Sequence, residues 1–275
     1  MKKEPFQYKD GILCLTAWDT VTAGFSTREG GVSKQHYASL NLGLHVRDQQ
    51  EAVHENRRLL AEHLHFPLHT WICSEQIHDN IVQKVGVSEQ GKGVYAYEDG
   101  VPGTDGIYTQ EENILLTSCY ADCVPLYFYA PSRRLIGLAH AGWKGTVKGI
   151  ALEMIKKWVH GEHIPLSDIQ VAIGPAIGAC CYVVDDRVID AVKEIVNNPV
   201  PYRMVSEGQY TLDLKEINRL LCLQAGVQEK HIFMSSLCTS CEEQWFFSHR
   251  RDRGNTGRML SFIGFKEVPS IDSSR

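Results

Sequence analysis

Two neighbouring segments of the chain carry the residue types best suited to chemistry. Cys123 directly precedes an apolar run over 124–129, and His140 follows another apolar run over 135–138. Short apolar runs bounded by polar residues are typical of buried β-strands. A thiol and an imidazole are therefore expected at neighbouring strand ends. Such a pair can belong to a metal site or can act as a nucleophilic thiol with its base.

A third residue of this kind is His78, in the polar interruption 75–80 of a strand-like segment over 71–85. Two imidazoles and one thiolate would leave the fourth position of a zinc ion open, as catalytic zinc sites do. The spacing is not diagnostic, so a Cys–His nucleophile pair and ordinary buried side chains remain alternatives. Asp122, beside Cys123, is the candidate to orient a ligand histidine through its second ring nitrogen, or else to cap a turn.

Three segments offer cations that could bind an anion. Lys144 lies in a glycine-flanked turn directly before a helix expected over 146–160, where backbone N–H groups favour anions. Arg28 lies in the glycine-containing turn 27–33, and further arginines occupy the polar loop 246–258. The full phosphate-loop pattern is missing around Lys144, so a simple strand-to-helix turn is the alternative there. An arginine-rich loop is also often a solvated surface.

The remaining cysteines give weaker signals. Cys238 and Cys241 have the spacing of a redox pair or of half a zinc site, but we see no second pair with this spacing and favour a packed turn. Cys180 and Cys181 are adjacent, and their side chains would diverge in a strand, which argues against a shared metal. The chain has nine cysteines, an odd number, and we expect mostly free thiols.

Composition excludes several classes of protein. The chain has 275 residues, of which 43% are hydrophobic and 22% charged, and its net charge is -5. This weakly acidic balance argues against a broad nucleic-acid-binding surface. Residues 1–10 are charged and lack the apolar core of a signal peptide, and no apolar run approaches the length of a membrane helix. We therefore expect a cytoplasmic protein that binds neither nucleic acid nor membranes.

The pattern of elements predicts an α+β fold. Besides the helix over 146–160, apolar periodicity indicates helices over 50–63, 186–196 and 212–224, and an extended segment over 40–46. Strands outnumber helices, and helices do not follow each strand, which disfavours a doubly wound parallel sheet. We predict one domain over 1–275, with mixed β-sheets flanked by helices.

Several motifs taken together resemble one known family. They are Ser26-Thr-Arg-Glu-Gly-Gly-Val-Ser33, Ser39-Leu-Asn-Leu-Gly43, Gln76-Ile-His78, Ala121-Asp-Cys-Val-Pro125, His140-Ala-Gly-Trp-Lys-Gly145, Gly174-Pro-Ala-Ile-Gly178, Cys180-Cys-Tyr182, Phe246-Phe-Ser-His-Arg-Arg-Asp252 and Thr256-Gly-Arg258. In order and content they are similar to the laccase-domain family, described as polyphenol oxidases and as purine nucleoside phosphorylases. The resemblance spans nearly the whole chain. There are departures at Lys144, Val183 and His249, where relatives often have arginine, an acidic residue and an aromatic residue.

The resemblance implies a zinc enzyme with His78, Cys123 and His140 as ligands. It also implies phosphorolysis of adenosine, inosine and methylthioadenosine, with adenosine deamination as a further activity. We assign catalytic roles to Cys123 and Asp122. Substrate contacts are expected from residues in or near the glycine-rich segments, namely Arg28, Asn41, His45 and Lys144. The expected partners are a purine nucleoside and phosphate.

Other functions remain open at this stage. Copper is possible in place of zinc, and a copper polyphenol oxidase is one alternative. It is weakened because a His-x-His pair occurs only at His63 and His65, on a predicted helix. A cysteine amidase or hydrolase of cell-wall precursors would use Cys123 as nucleophile and His140 as base. A non-enzymatic metal-binding protein is the last alternative.

Overall fold

Two six-stranded mixed β-sheets form the centre of the protein, whose computed structural model describes residues 3–197 and 199–265. In chain order the strands are β1 Phe6–Lys9, β2 Ile12–Leu15, β3 Val21–Ser26, β4 Trp71–Cys73, β5 Val82–Lys84, β6 Gly106–Thr109, β7 Leu115–Tyr120, β8 Val124–Ala130, β9 Leu135–Ala141, β10 Gln170–Ile173, β11 Val183–Asp185, β12 Tyr202–Ser206, β13 Gln209–Leu212, β14 Ile232–Met234 and β15 Met259–Phe265. The helices are α1 Gln50–Leu64, α2 Trp143–Val147, α3 Ile150–Lys156, α4 Asp186–Ile195 and α5 Leu214–Gln224.

The strand order is β1-β2-β3-β15-β7-β4 in the first sheet and β14-β10-β8-β9-β6-β5 in the second. Most neighbouring strands are antiparallel, but β4 with β7, β5 with β6 and β10 with β14 are parallel. A small third sheet has the order β11-β13-β12. This mixture of sheets with few helices confirms the α+β class.

The core lies between the two large sheets. Phe25 and Ile263 of the first sheet share one buried cluster with Tyr127 and Leu138 of the second. Successive strand residues point to opposite faces, so each sheet also presents a second apolar face that must be covered. Helix α1 covers that face of the first sheet, and α3 and α5 cover that of the second. The layers therefore run helix, sheet, sheet, helix.

Aspartate side chains fix the start of two helices. Asp185 accepts a hydrogen bond from the Val188 amide at the start of α4, and Asp213 accepts one from Glu216 at the start of α5. These N-caps satisfy amides that a helix leaves unpaired. The helices predicted over 50–63, 186–196 and 212–224 are confirmed within the usual one or two residues.

Two predicted features differ in the structure, and one sheet was not predicted at all. The helix expected over 146–160 begins earlier, at Trp143, and is interrupted at Gly149, whose φ of 80° is left-handed. Glycine adopts that conformation without the Cβ clash that other residues meet, so the chain turns there and restarts as α3. The segment 40–46, predicted to be extended, contains turns at 40 and 44–45 and no regular structure over 41–43. The third sheet was not predicted. Strand β12 is exposed along its whole length, so burial imposes no alternating pattern on its sequence.

None of the helices within the described residues is long and apolar enough to cross a lipid bilayer.

Candidate active site

The candidate site lies where the chain passes from one large sheet to the other. Strand β7 of the first sheet ends at Tyr120, and Cys123 directly precedes β8 of the second sheet. His140 is the penultimate residue of β9, paired with Pro125 of β8. His78 comes from the connection between β4 and β5. The structure brings all three together, with one potential ligand atom of each within 4.8 Å of the others.

Asp105 orients this triad, a role that the sequence did not reveal. Its carboxylate is fully buried and lies 2.8 Å from Nδ1 of His140, which directs the other ring nitrogen towards the triad. The same carboxylate accepts hydrogen bonds from the backbone N–H groups of His78 at 3.0 Å and Asp79 at 2.8 Å. One side chain therefore holds both a ring and a loop, as partners of metal-ligating histidines commonly do.

The backbone around the triad is in unusual conformations. Gln76, His78 and Asp122 have positive φ values of 64°, 63° and 88°. Each such residue costs about 1–3 kcal/mol and persists only where surrounding contacts impose it. Those contacts are present: the Gln76 amide makes hydrogen bonds of 2.8 and 2.7 Å to the backbone of Cys119. Strained backbone at three positions next to the candidate ligands is typical of a functional site.

The lack of a side chain at Gly142 leaves room for Cys123 and His78 to pack against its backbone. A Cβ built at this position would lie 3.1 Å from both Sγ of Cys123 and Cδ2 of His78. A side chain here would press on two of the three candidate ligands. The glycine is therefore required by close packing and not by its φ, which is -67°.

In the metal-free triad the surroundings favour a thiolate at Cys123 and a protonated ring at His140, which must release its proton when a metal binds. Burial raises the pKa of the Cys123 thiol, but the charge and hydrogen bonds of the nearby imidazoles outweigh it and lower the pKa to about 6. Burial lowers the pKa of His140, but Cys123 and Asp105 outweigh it and raise the pKa to about 9. One thiolate close to two imidazoles is the donor set of a zinc centre with one open position, so these residues fit zinc.

A pocket of about 550 Å³ opens onto the triad. His78 is exposed to it, whereas His140 is buried. Its lining combines aromatic side chains with polar and cationic ones; among them are His45, Tyr97, Trp143, Lys144, Tyr182, His249, Arg250 and Arg258. The volume is in the usual range for small-molecule sites. Of the substrate contacts predicted from sequence, His45 and Lys144 line this pocket.

Arg28 and Asn41, which were also predicted to contact substrate, are not among the residues that line this pocket. The guanidinium of Arg28 donates to the carbonyl oxygens of Ala38 and Glu243 and packs over Phe247. Asn41 is fully buried and accepts hydrogen bonds from the backbone of Gly43 and Arg258. In the structure both residues hold loops in place.

Asp122 also differs from expectation, because its carboxylate does not orient a ligand histidine. It accepts hydrogen bonds from the hydroxyls of Thr239 and Ser248 and from the backbone of Arg250. Asp122 thus joins the segment before Cys123 to two later loops. Asp105 takes the orienting position because it immediately precedes β6, which pairs with β9 and so lies beside His140.

Arg250 and Arg258 are pocket residues that the sequence suggested only as part of an arginine-rich loop. The guanidinium of Arg258 donates to the carbonyl oxygens of Thr256 and Gly257, and burial lowers the pKa of Arg258. Arg250 donates to the carbonyl of Val183 and packs over the ring of Tyr182. These contacts hold both side chains at the pocket, although Arg250 remains exposed to solvent.

The structure also corrects the interpretation of the other cysteines. Cys180 and Cys181 lie in a turn and not in a strand, and their thiols meet those of Cys238 and Cys241. The second pair beside Cys238 and Cys241, which the sequence analysis did not identify, is therefore Cys180 and Cys181.

Comparison with known proteins finds one family model and similar proteins that match most of the chain. Residues 22–266 match the family model described as multi-copper polyphenol oxidoreductase laccase. The chain is 58% identical over 247 residues to purine nucleoside phosphorylase YlmD of Geobacillus stearothermophilus, covering 89% of this chain and 90% of that protein. It is 50% identical over 249 residues to purine nucleoside phosphorylase YlmD of Bacillus subtilis, covering 90% of each.

Solved structures give the same result. The crystal structure of YlmD from Geobacillus stearothermophilus superposes with a TM-score of 0.95 at 55% identity, covering 96% of this chain and 100% of that one. That of the Bacillus licheniformis hypothetical protein YfiH superposes with a TM-score of 0.91 at 47% identity, covering 95% and 99%. With its shared fold and a family match over most of its length, the chain belongs to the multi-copper polyphenol oxidoreductase laccase family.

Proposed function

We propose that this protein is a zinc-dependent purine nucleoside phosphorylase. The observation that carries the proposal is one pocket lined both by a donor set of one thiol and two imidazoles and by cationic and aromatic side chains. Its relatives at 58% and 50% identity are named purine nucleoside phosphorylases, which supports the same activity here. The proposed substrates are adenosine, inosine and methylthioadenosine with phosphate, and adenosine deamination is a proposed further activity.

Phosphorolysis joins a phosphate oxygen to C1′ of the ribose while the bond from C1′ to the purine nitrogen breaks. The purine leaves with the bonding electrons and takes up a proton, and the sugar becomes ribose 1-phosphate. Lys144, Arg250 and Arg258 are the pocket cations suited to hold phosphate, since arginine can make two parallel hydrogen bonds to it. Tyr97, Trp143 and Tyr182 offer ring faces or edges for the purine.

His78, Cys123 and His140 would hold the zinc, which when bound supplies a Lewis acid beside the substrate. The role of Asp105 is to keep His140 in one ring orientation and tautomer and to hold the loop of His78. Cys123 is proposed to act in catalysis as a zinc ligand. Asp122 is proposed to act by positioning Cys123, since its own contacts lie with Thr239 and Ser248.

Copper oxidation of phenols is less well supported. Multicopper chemistry needs several clusters of histidine ligands, and within residues 3–197 and 199–265 the triad is the one potential metal group that contains histidine. His63 and His65 lie at the end of α1 and do not belong to it. We therefore propose zinc as the metal.

The proposal is tested with adenosine and phosphate by measuring ribose 1-phosphate release and bound zinc together. The His78→Ala variant should lose both. The matched control is His63→Ala, an exposed histidine in the last turn of α1, which should keep both. A His78→Ala protein that retained the bound zinc and full turnover would refute the ligand assignment.

The phosphate contacts are tested separately. Arg258→Ala should raise the KM for phosphate at least tenfold, because an arginine–phosphate contact in a pocket is charge-assisted. The control is Arg203→Ala, on the exposed strand β12, which should leave the KM unchanged. An unchanged KM for phosphate in Arg258→Ala would remove this residue from the proposed role.

A cysteine hydrolase acting on cell-wall precursors is a second candidate, favoured by one observation. The pKa of Cys123 is lowered to about 6, after the imidazoles overcome the effect of burial, so the thiol is ionised at neutral pH. As a nucleophile, Cys123 should react with iodoacetamide in the protein as purified. As a zinc ligand, it should react only after a chelator has removed the metal.

A further inference from the structure

A second cluster of metal-binding side chains lies outside the pocket. It consists of Cys180 and Cys181, from the turn after β10, and Cys238 and Cys241, from the turn after β14. All four sulfur atoms lie within 4.8 Å of one another, and Sγ of Cys241 is 3.5 Å from that of Cys180 and 3.4 Å from that of Cys181. All four are free thiols.

These separations match a tetrahedral metal site. Zinc–sulfur bonds of about 2.3 Å in a tetrahedron place the sulfurs about 3.8 Å apart. A disulfide needs about 2.05 Å, so each close pair would have to move to become oxidised. Four thiolates occupy every position of a tetrahedral ion and leave none open for substrate, which is the pattern of a structural zinc site.

The backbone around Cys238 is arranged for a thiolate. The N–H of Gly178 donates to its sulfur at 3.1 Å. A Cβ at Gly178 would lie 3.2 Å from Sγ of Cys180 and 3.3 Å from Cβ of Cys238. The glycine therefore lets its own backbone approach the sulfurs, which a larger residue would obstruct.

A buried ammonium group lies beside the cluster. Lys215 of α5 is only 5% exposed, and its Nζ donates to the carbonyl oxygens of Ser235 and Leu237 at 2.8 Å. Burial lowers the pKa of Lys215, whereas nearby acidic groups, Asp213 and Cys238 among them, favour its charged form. A zinc ion with four thiolates carries a net charge of about -2, and a buried cation offsets part of that charge.

We propose that Cys180, Cys181, Cys238 and Cys241 bind a second zinc ion, which has a structural role. This ion would join the two turns that follow the parallel strands β10 and β14. The inference does not depend on the proposed phosphorylase activity, because none of these four side chains lines the pocket.

The two turns carry part of the pocket wall. Ile177 and Tyr182, on either side of the first cysteine pair, line the pocket. Thr239, between the second pair, donates its hydroxyl to Asp122 at 2.7 Å and its backbone N–H to the carbonyl of Ala176 at 3.1 Å. A metal at the cluster would thus keep both turns in register beside the segment that carries Cys123.

The test is zinc content per folded chain, measured by mass spectrometry of the metal after removal of loosely bound ions. We expect two zinc ions in the natural protein, one in Cys180→Ser/Cys241→Ser and one in His78→Ala/His140→Ala. Both serine substitutions replace exposed thiols with a side chain of similar shape. Cys14→Ser, outside both groups, is the control and should retain two zinc ions.

Cobalt(II) in place of zinc gives a second measurement that needs no variant of the cluster. Thiolate-to-cobalt absorbance should correspond to five sulfur ligands in the natural protein and to four in His78→Ala/His140→Ala/Cys123→Ser, since Cys123 contributes one and the cluster four. A single zinc that disappears with the histidine substitutions would overturn the proposal. So would a disulfide among the four cysteines in the purified protein, found by peptide mass, with no second metal.

Discussion

Asp105→Asn is the substitution that most directly tests how the candidate zinc site is built. The carboxylate of Asp105 accepts three hydrogen bonds: one oxygen accepts from the ring of His140 and the backbone of His78, and the other accepts from the backbone of Asp79. An asparagine has one acceptor oxygen and one amide nitrogen, which can only donate. If the asparagine oxygen faces His140 and His78, its amide nitrogen faces the N–H of Asp79 and that hydrogen bond is lost. If the oxygen faces Asp79 instead, the hydrogen bonds to His140 and His78 are both lost.

The loss of one hydrogen bond, the smaller of these two effects, sets the expected decrease in zinc affinity. One hydrogen bond to a charged group is worth about 1.5–3 kcal/mol, and Asp105 is fully buried, so water cannot replace it. Loss of a partner that orients a ligand histidine typically costs about 10–100-fold in metal affinity. We therefore expect zinc to bind about 10–100-fold more weakly in Asp105→Asn, with turnover restored in part by excess zinc.

The assay is competition for zinc between the folded protein and a chelator of known affinity. Asp168→Asn is the matched control: this partly exposed carboxylate accepts hydrogen bonds from the amide and hydroxyl of Ser132, and neither residue lines the pocket. Melting of the metal-free proteins separates lost affinity from lost folding. Zinc affinity within about twofold of the natural protein would refute the role assigned to Asp105.

Two further predictions concern the pocket thiols and a buried asparagine. In metal-free protein at pH 7.5, iodoacetamide should label Cys123, whose pKa is lowered to about 6, but not Cys119, whose pKa burial raises to about 11. Because a lowered pKa keeps the thiolate present above pH 6, labelling of Cys123 should decline only as the pH falls through about 6; peptide mapping that shows its rate still rising above pH 8 would contradict this. Asn56→Ala should lower the free energy of unfolding by about 2–5 kcal/mol in urea melts, since the side-chain amide of Asn56 accepts from the backbone N–H of Val32 and donates to the carbonyl oxygen of Asn41, and both groups would lose this partner. The exposed control Asn255→Ala should change it by less than about 0.5 kcal/mol, and equal effects would show that burial of Asn56 does not decide its contribution.

Local patterns in the sequence were enough to predict the bounds of the longest helices. Helix α5 has a capping aspartate at Asp213, an apolar stripe, and Gly226 shortly beyond its end, and it was predicted almost residue for residue. The sequence was less informative where local signals compete, as at Gly149, which divides the expected helix into α2 and α3. It was also uninformative where burial imposes no pattern, as in strand β12.

Residue types and their places at strand ends made His78, Cys123 and His140 the candidates for chemistry, and the resemblance to the laccase-domain family implied that these three residues share one metal. Only the tertiary structure decided which carboxylate orients them, because Asp105 and His140 become neighbours through the pairing of β6 with β9. It likewise separated Arg28 from the pocket and brought Cys180 and Cys181 to Cys238 and Cys241. The physical reason is the same in each case: sheet pairing joins residues far apart in the chain, and sequence spacing carries no record of which strands become neighbours.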